Sequence, residues 1–286
     1  MGRVQMDHTF IGSLFEPVQL SETIPDEAVF HRTLTPPVEL SGYIQSIWEM
    51  KVRTSANELC EFELIPDGSV DLLFSLNASD PVSYLSVTGS KASTLFLPDA
   101  VHYIGVRFRP GAFLHFFPFS FISLKGQTLP LNEVFGAWIQ EWEHKILEAG
   151  PVENAVSVLC DLLKRQLSMS TFSSDPRFLQ SLYDVLQSNG SSKIEREVAS
   201  LASPRNLRRI FEQNTGLSPK SFSRIVRFQK MLESFRSFSQ TEGSWPFPDF
   251  GYFDQAHLIK DCKLMTGKTP VQLIQQLKLS DFYNEH

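Results

Sequence analysis

The stretch LRRIFEQNTGLSPKSF, residues 207–222, contains a pattern that returns 51 residues later in LIKDCKLMTGKTPVQL, residues 258–273. In both copies, apolar residues four positions apart mark one face of a helix, and a Thr-Gly pair then ends that helix. A Ser-Pro or Thr-Pro pair follows, which is typical of the start of a new helix. The sequence therefore predicts two copies of one helix-turn-helix unit.

Local signals around the two copies predict the limits of their helices. Ser203 is a predicted N-cap with Pro204 in the first turn, so a helix is expected over residues 204–215. The remaining helices expected in this half of the chain cover residues 178–187, 194–202, 219 to about 238, about 255 to 265, and 270 to about 278.

The net charge of −6 is unevenly distributed along the chain. Residues 1–174 carry 11 Lys and Arg against 20 Asp and Glu, or −9, whereas residues 175–286 carry 15 against 12, or +3. Within residues 203–230 there are seven basic residues, and Glu212 is the only acid. This basic stripe on the first copy is suited to attract phosphate groups, even though the chain as a whole is acidic.

The N-terminal half has the pattern of a β-rich domain followed by two helices. Short β-branched and aromatic runs between turn signals predict a barrel or sandwich, with strands over residues 43–52, 60–65, 70–76, 84–89 and 103–110. Helical periodicity follows over residues 132–149 and 151–168. Trp138 and Trp142 lie on the first of these helices, either in the core or on a dimer surface. The expected class is therefore α+β, with an all-α domain after the linker at residues 170–176.

Length and composition limit the number of domains, the location of the protein and the use of its cysteines. A chain of 286 residues with 42% hydrophobic and 20% charged residues is long enough for two domains. Because it has no apolar run near the roughly 20 residues of a membrane helix and no secretory signal, we expect a cytoplasmic protein with no membrane partner. Its three widely spaced cysteines predict neither disulfides nor a zinc site.

Enzyme signatures are missing from the sequence. It has no Gly-rich phosphate loop, no nucleophile elbow and no HExxH motif. His31, His102 and His115 lack the spacing of a barrel metal site. We therefore expect no catalytic activity, no metal and no cofactor.

Two longer segments carry a resemblance to a known family. SPRNLRRIFEQNTGLSPKSFSRIVRFQKML, residues 203–232, and GYFDQAHLIKDCKLMTGKTP, residues 251–270, resemble the C-terminal DNA-binding domain of AraC-type transcription regulators. The resemblance spans about residues 176–279 and includes both turns and the helix that joins them. Pro36-Pro37, IPDG at residues 65–68 and GVRFRPGAF at residues 105–113 also look like an uncharacterised β-rich domain found ahead of such DNA-binding domains.

The resemblance implies a bacterial regulator that places two helices in adjacent segments of the major groove of double-stranded DNA. The residues that correspond to outward positions of the two reading helices are Arg205, Asn206, Arg208, Arg209, Gln255, His257 and Lys260. Arg pairs bidentately with guanine and Gln with adenine, which agrees with this placement. The implied organisation is a sensing or dimerisation domain over residues 1–131, a helical pair over 132–169, and the DNA-binding domain over 176–286.

The two copies are not expected to contribute equally. Pro246 and Pro248 interrupt the helix that precedes the second reading helix, and Cys262 stands where the family usually has an aromatic core residue. We therefore expect the first copy to dominate affinity. The rival hypothesis keeps the fold but makes the unit a degenerate helix-turn-helix that binds protein instead of DNA.

Two arginines in the N-terminal half are candidates for binding an effector. Arg107 and Arg109 alternate with apolar residues, which predicts both guanidinium groups on one face of a strand. They would then suit an anionic small molecule, or else satisfy the acidic domain's own carboxylates. The sequence also allows a homodimer.

Overall fold

A computed structural model of the chain describes residues 8–19, 29–53, 60–77, 82–97, 100–119, 121, 124–190, 203–237 and 250–276. Within these ranges an antiparallel β-sheet domain is followed by a helical region, which confirms the predicted α+β class. The predicted helix over residues 194–202 lies outside the described residues, as do Pro246 and Pro248.

Within the described ranges, six strands form the main sheet, in the order β1-β2-β7-β4-β5-β8, with every neighbouring pair antiparallel. Two more strands, β3 and β6, pair separately as a ribbon. The bounds of these strands are β1 Val29–Leu34, β2 Ile44–Val52, β3 Cys60–Leu64, β4 Val70–Ser75, β5 Tyr84–Val87, β6 Ser93–Leu97, β7 His102–Phe108 and β8 Thr128–Pro130. Strands β1, β6 and β8 had no counterpart in the sequence prediction, because they are short or largely solvent-exposed and lack its apolar pattern.

Both faces of the sheet are covered, but by different elements. On one face Val106 and Phe108 of β7 pack with Trp142 and Leu159 of the helical pair. On the other face Trp48 and Tyr103 pack against the ribbon. Strand β4 is buried along its whole length for this reason. Among the described residues β1 and β8 do not pair, so the sheet is open and the arrangement is an unequal sandwich rather than a closed barrel.

The first predicted helix of the pair is interrupted. Residues 132–149 were predicted as one helix, but α2 covers Leu131–Phe135 and α3 covers Ile139–Glu148, followed by α4 at Val152–Ser168. The interruption falls at Gly136, whose φ of +76° is a left-handed conformation that ends α2. Trp142 belongs to the core, whereas Trp138 precedes α3 and is 45% exposed.

The helical region shares its core with the N-terminal segment. The remaining helices are α1 His8–Gly12, α5 Pro176–Gln187, α6 Pro204–Thr215, α7 Pro219–Ser237, α8 Gln255–Thr266 and α9, residues 270–276. Ile11, Phe15 and Ile65 are buried in one cluster with Phe211 and Phe222 of α6 and α7. The helical region is therefore docked on the sheet domain through apolar contacts.

A glutamine on α7 adds polar contacts to this docking. The amide Nε2 of Gln229 donates to the carbonyls of Pro66, at 2.9 Å, and Val18, at 3.2 Å. Its Oε1 accepts the backbone N–H of Val18 at 2.9 Å. Because Gln229 is buried, these bonds satisfy groups that would otherwise be costly to bury.

Candidate nucleic-acid interface

The helix that the resemblance identifies as the first reading helix, α6, has the limits that the sequence predicted. Ser203 is extended, and its hydroxyl accepts the backbone N–H of Asn206 at 3.4 Å, with Pro204 in the first turn. The helix ends at Gly216, which is left-handed with a φ of +71°. Leu207 and Phe211 form the inner face. The outer face therefore stays available for another molecule.

The second reading helix, α8, is built in the same way. Asp254 is its N-cap, and Oδ1 accepts the backbone N–H of His257 at 2.7 Å. Gly267, with a φ of +72°, ends it. Cys262 lies in its buried face, where burial raises the pKa of the thiol to about 12 and keeps the thiol protonated.

The two copies agree in the geometry of their turns. The hydroxyl of Thr215 donates to the Phe211 carbonyl at 2.8 Å, and that of Thr266 donates to the Cys262 carbonyl at 2.9 Å. Each of these hydroxyls also accepts the backbone N–H two residues later, at 3.1 Å. The buried positions of α6 and α8 also coincide after a shift of 51 residues, as the pairs 207/258, 210/261, 211/262, 214/265 and 215/266. The repeat in sequence is therefore a repeat in structure.

Helix α7 joins the two copies and is 19 residues long, which corresponds to about 28 Å. This length is close to the roughly 34 Å between successive faces of one major groove.

An ion-pair network holds α8 against α7. Asp261, which is 1% exposed, accepts from Nη2 of Arg224 at 2.6 Å and from Nη2 of Arg227 at 3.1 Å. The guanidinium of Arg227 also lies 4.8 Å from the ring centre of Tyr252, immediately before α8. Two residues of the predicted basic stripe are thus used inside the domain. The sequence analysis missed Asp261, which occupies the position of Ile210 in the first copy.

The predicted residues of α6 lie on its exposed side. Arg205, Arg208 and Arg209 are exposed, and Asn206 is half-buried. Arg208 pairs with Glu212 one turn along, and Arg209 donates to Gln213 and Asn206. Exposed pairs of this kind contribute about 0.3–0.5 kcal/mol, so they are readily exchanged for contacts with another molecule.

The predicted residues of α8 differ in their exposure. Gln255 and Lys260 are exposed. His257 is half-buried, with its ring edge-on to Tyr252 at 5.2 Å between centroids. Phe253, which the sequence analysis did not single out, is 92% exposed directly before the N-cap.

The two arginine candidates for an effector site have separate partners. Arg107 is buried on β7, and its Nε donates to Oδ1 of Asp71 on β4 at 3.1 Å. Arg109 lies beyond the end of β7 and donates to the carbonyls of Ser41 and Gly12. Arg107 therefore joins β7 to β4, and Arg109 joins the end of β7 to Ser41 and to α1. A cavity of about 30 Å³ lies beside Arg107, between the sheet and the ribbon.

The three histidines considered as metal ligands each contact a different residue. His31 stacks on Trp48, His102 binds Glu49, and His115 binds Ser174 in the linker. Among the described residues, no helix combines the length and the hydropathy of a membrane span.

One family model matches part of the chain, in the region of the sheet domain. Residues 32–130 match a domain of unknown function, DUF6597. A search of curated proteins found no match.

Solved structures similar to this chain include several of ToxT from Vibrio cholerae. One in a P21 crystal form has 9% identity and a TM-score of 0.38, and covers 78% of this chain and 99% of its own. A second, from strain O395, has 10% identity and a TM-score of 0.36, and covers 88% and 99%. A third, with bound unsaturated fatty acid, has 10% identity and a TM-score of 0.36, and covers 89% and 97%.

Proposed function

We propose that this protein is a sequence-specific DNA-binding transcription regulator of the AraC type, not an enzyme, in which α6 and α8 read two adjacent segments of one major groove. The observation that carries the proposal is the repeat of caps, turns and buried positions between α6 and α8. Both helices expose basic or amide side chains on the side away from the core. Such side chains bind phosphates and base edges.

Charge supports the same function. Arg205, Lys220 and Lys260 are exposed, and none forms an ion pair with another residue that the structure describes. Together with Arg208 and Arg209 they provide about five cations for phosphates. Neutralising five phosphates predicts a slope of about −4 to −5 in log K against log salt concentration.

The proposal divides the chain into parts with different roles. Residues 176–286 bind DNA, and residues 1–131 sense a signal or form a dimer. Because α3 and α4 complete the core of the sheet, residues 132–169 move with that domain. A small-molecule effector or a second copy of the chain would bind to the sheet domain and alter how the DNA-binding region is held. This would take place in the cytoplasm.

The test is binding of the full chain to labelled random duplex DNA over a series of salt concentrations. We expect measurable binding at low salt and a steep decrease as salt rises. The triple variant Arg205→Ala, Arg208→Ala, Arg209→Ala should reduce both the affinity and the slope. The matched control is Arg165→Ala, which removes an exposed arginine from α4 and should change neither.

A chain that stays folded and binds no duplex DNA at low salt would contradict the proposal. That outcome would favour the alternative, a degenerate helix-turn-helix unit that binds another protein.

A further inference from the structure

An exposed aromatic side chain lies directly before the N-terminus of the second reading helix, α8. Phe253 is 92% exposed, whereas its neighbour Tyr252 is buried. The turn that carries it is held by the Asp254 cap and by the backbone N–H of Phe253, which lies 3.5 Å from Nδ1 of His257. The aromatic ring is thus exposed, two residues before Gln255 in the chain.

Equivalent positions of the two copies carry different chemistry. After a shift of 51 residues, Arg205 of α6 corresponds to Ala256 of α8, and both are exposed. Arg209 corresponds to Lys260, so both helices keep a cation for phosphate at that position. The second copy therefore replaces a guanidinium with a methyl group where the first copy offers its side chain outward, and it adds the ring of Phe253 nearby.

These side chains suit different base pairs. Arginine pairs bidentately with guanine, whereas alanine and phenylalanine contact the C5-methyl group of thymine and glutamine pairs with adenine.

Building on the proposed function, we infer that the two copies read segments of different composition: α6 reads a segment that contains G·C pairs, and Phe253, Gln255 and Ala256 read an A·T segment. Phe253 is the specificity-determining residue of the second segment, through thymine methyl contact.

The first experiment is selection of binding sites from randomised duplex DNA with the full chain. We expect two subsites about one helical turn apart, one with guanine and the other dominated by A·T pairs. A second subsite dominated by G·C pairs would overturn the inference and leave the proposed function intact. Failure to enrich any site, together with no binding to random duplex, would overturn both.

The second experiment tests the thymine contact directly. Replacing thymine by deoxyuridine in the second subsite removes the C5-methyl group, and Phe253→Ala removes its partner. Each change should lower affinity about five-fold, and the two together should lower it no further than one alone.

Phe96→Ala, which removes a 53% exposed phenylalanine from the ribbon, is the matched control and should not change affinity. Thermal unfolding should be unchanged in Phe253→Ala because the side chain is exposed. Fully additive effects of Phe253→Ala and deoxyuridine, or an equal loss on random duplex, would overturn the thymine contact.

Discussion

At the scale of single residues, the candidate interface combines side chains that hydrogen-bond only to neighbours on their own helix with side chains that pair with another helix. Arg209 belongs to the first group, since its partners Gln213 and Asn206 are neighbours on the same helix. It also contributes to the lowered pKa of Asp175 in the linker, after the larger effect of Arg177. Asp261 belongs to the second group, because two arginines of α7 bind it.

The first prediction compares the two reading helices. Arg209→Ala should weaken binding to the selected site about ten-fold and Lys260→Ala about three-fold, because a guanidinium forms a bidentate pair with a phosphate whereas an ammonium acts as a point charge. Fluorescence anisotropy with the full chain measures both, with Arg165→Ala as the control. The opposite order of effects would contradict the expected dominance of the first copy.

The second prediction concerns the buried acid. Asp261→Ala leaves Arg224 and Arg227 without their buried counter-charge and should lower the free energy of unfolding by about 2–4 kcal/mol. Glu233→Ala, which breaks an exposed pair with Lys230 on the same helix, should cost less than about 0.5 kcal/mol. Denaturant unfolding of both variants gives the comparison, and equal values would show that Asp261 does not hold α8 in place.

At the scale of elements, each reading helix is ended by a left-handed glycine, but the two glycines have different surroundings. A Cβ on Gly216 would lie 3.2 Å from Cβ of Phe121 in the sheet domain. A Cβ on Gly267 would meet nothing within 4 Å among the described residues. Only the first glycine is therefore also a point of contact between the domains.

The third prediction uses this matched pair. Gly267→Ala should cost about 1 kcal/mol, which is the strain of a left-handed alanine alone. Gly216→Ala should cost more than that, because the same strain is joined by a close contact with Phe121. Thermal unfolding measures both variants, and an equal decrease in Tm would argue against tight docking at Gly216.

At the scale of the whole molecule, the linker between the domains is held by histidines. His8 and His115 both lie within hydrogen-bond distance of the Ser174 hydroxyl, at 2.9 and 3.0 Å. Burial lowers the pKa of His115 from 6.5 to about 4. Since His115 packs edge-on against Phe172 of the linker, its protonation would place a charge among aromatic rings.

The fourth prediction follows from the sign of this shift. Between pH 6.5 and about 4 the unfolded state binds more protons than the folded state at His115, so stability falls as pH decreases through this window. His115→Gln should flatten the decrease in Tm between pH 7 and 4.5. His144→Gln, at an exposed histidine of α3, is the control. Identical pH profiles for wild type and His115→Gln would contradict the assignment.

The sequence by itself determined the parts of this protein that depend on neighbours along the chain. Ser203 and Pro204 predicted where α6 begins, and Gly216 and Gly267 predicted where the reading helices end, because caps and left-handed glycines act within a few residues. Strongly apolar strands such as β4 and β7 were predicted for the same local reason.

Only the tertiary structure decided the features that join distant residues. The contacts of Asp261 with α7, the apolar packing of Phe15 into the helical core, and the bonds of Gln229 across the domains span from 34 to more than 200 residues. The exposure of Phe253 likewise depends on what surrounds its turn. Sequence periodicity reports which face of an element is buried but not which partner covers it, so these contacts required the folded chain.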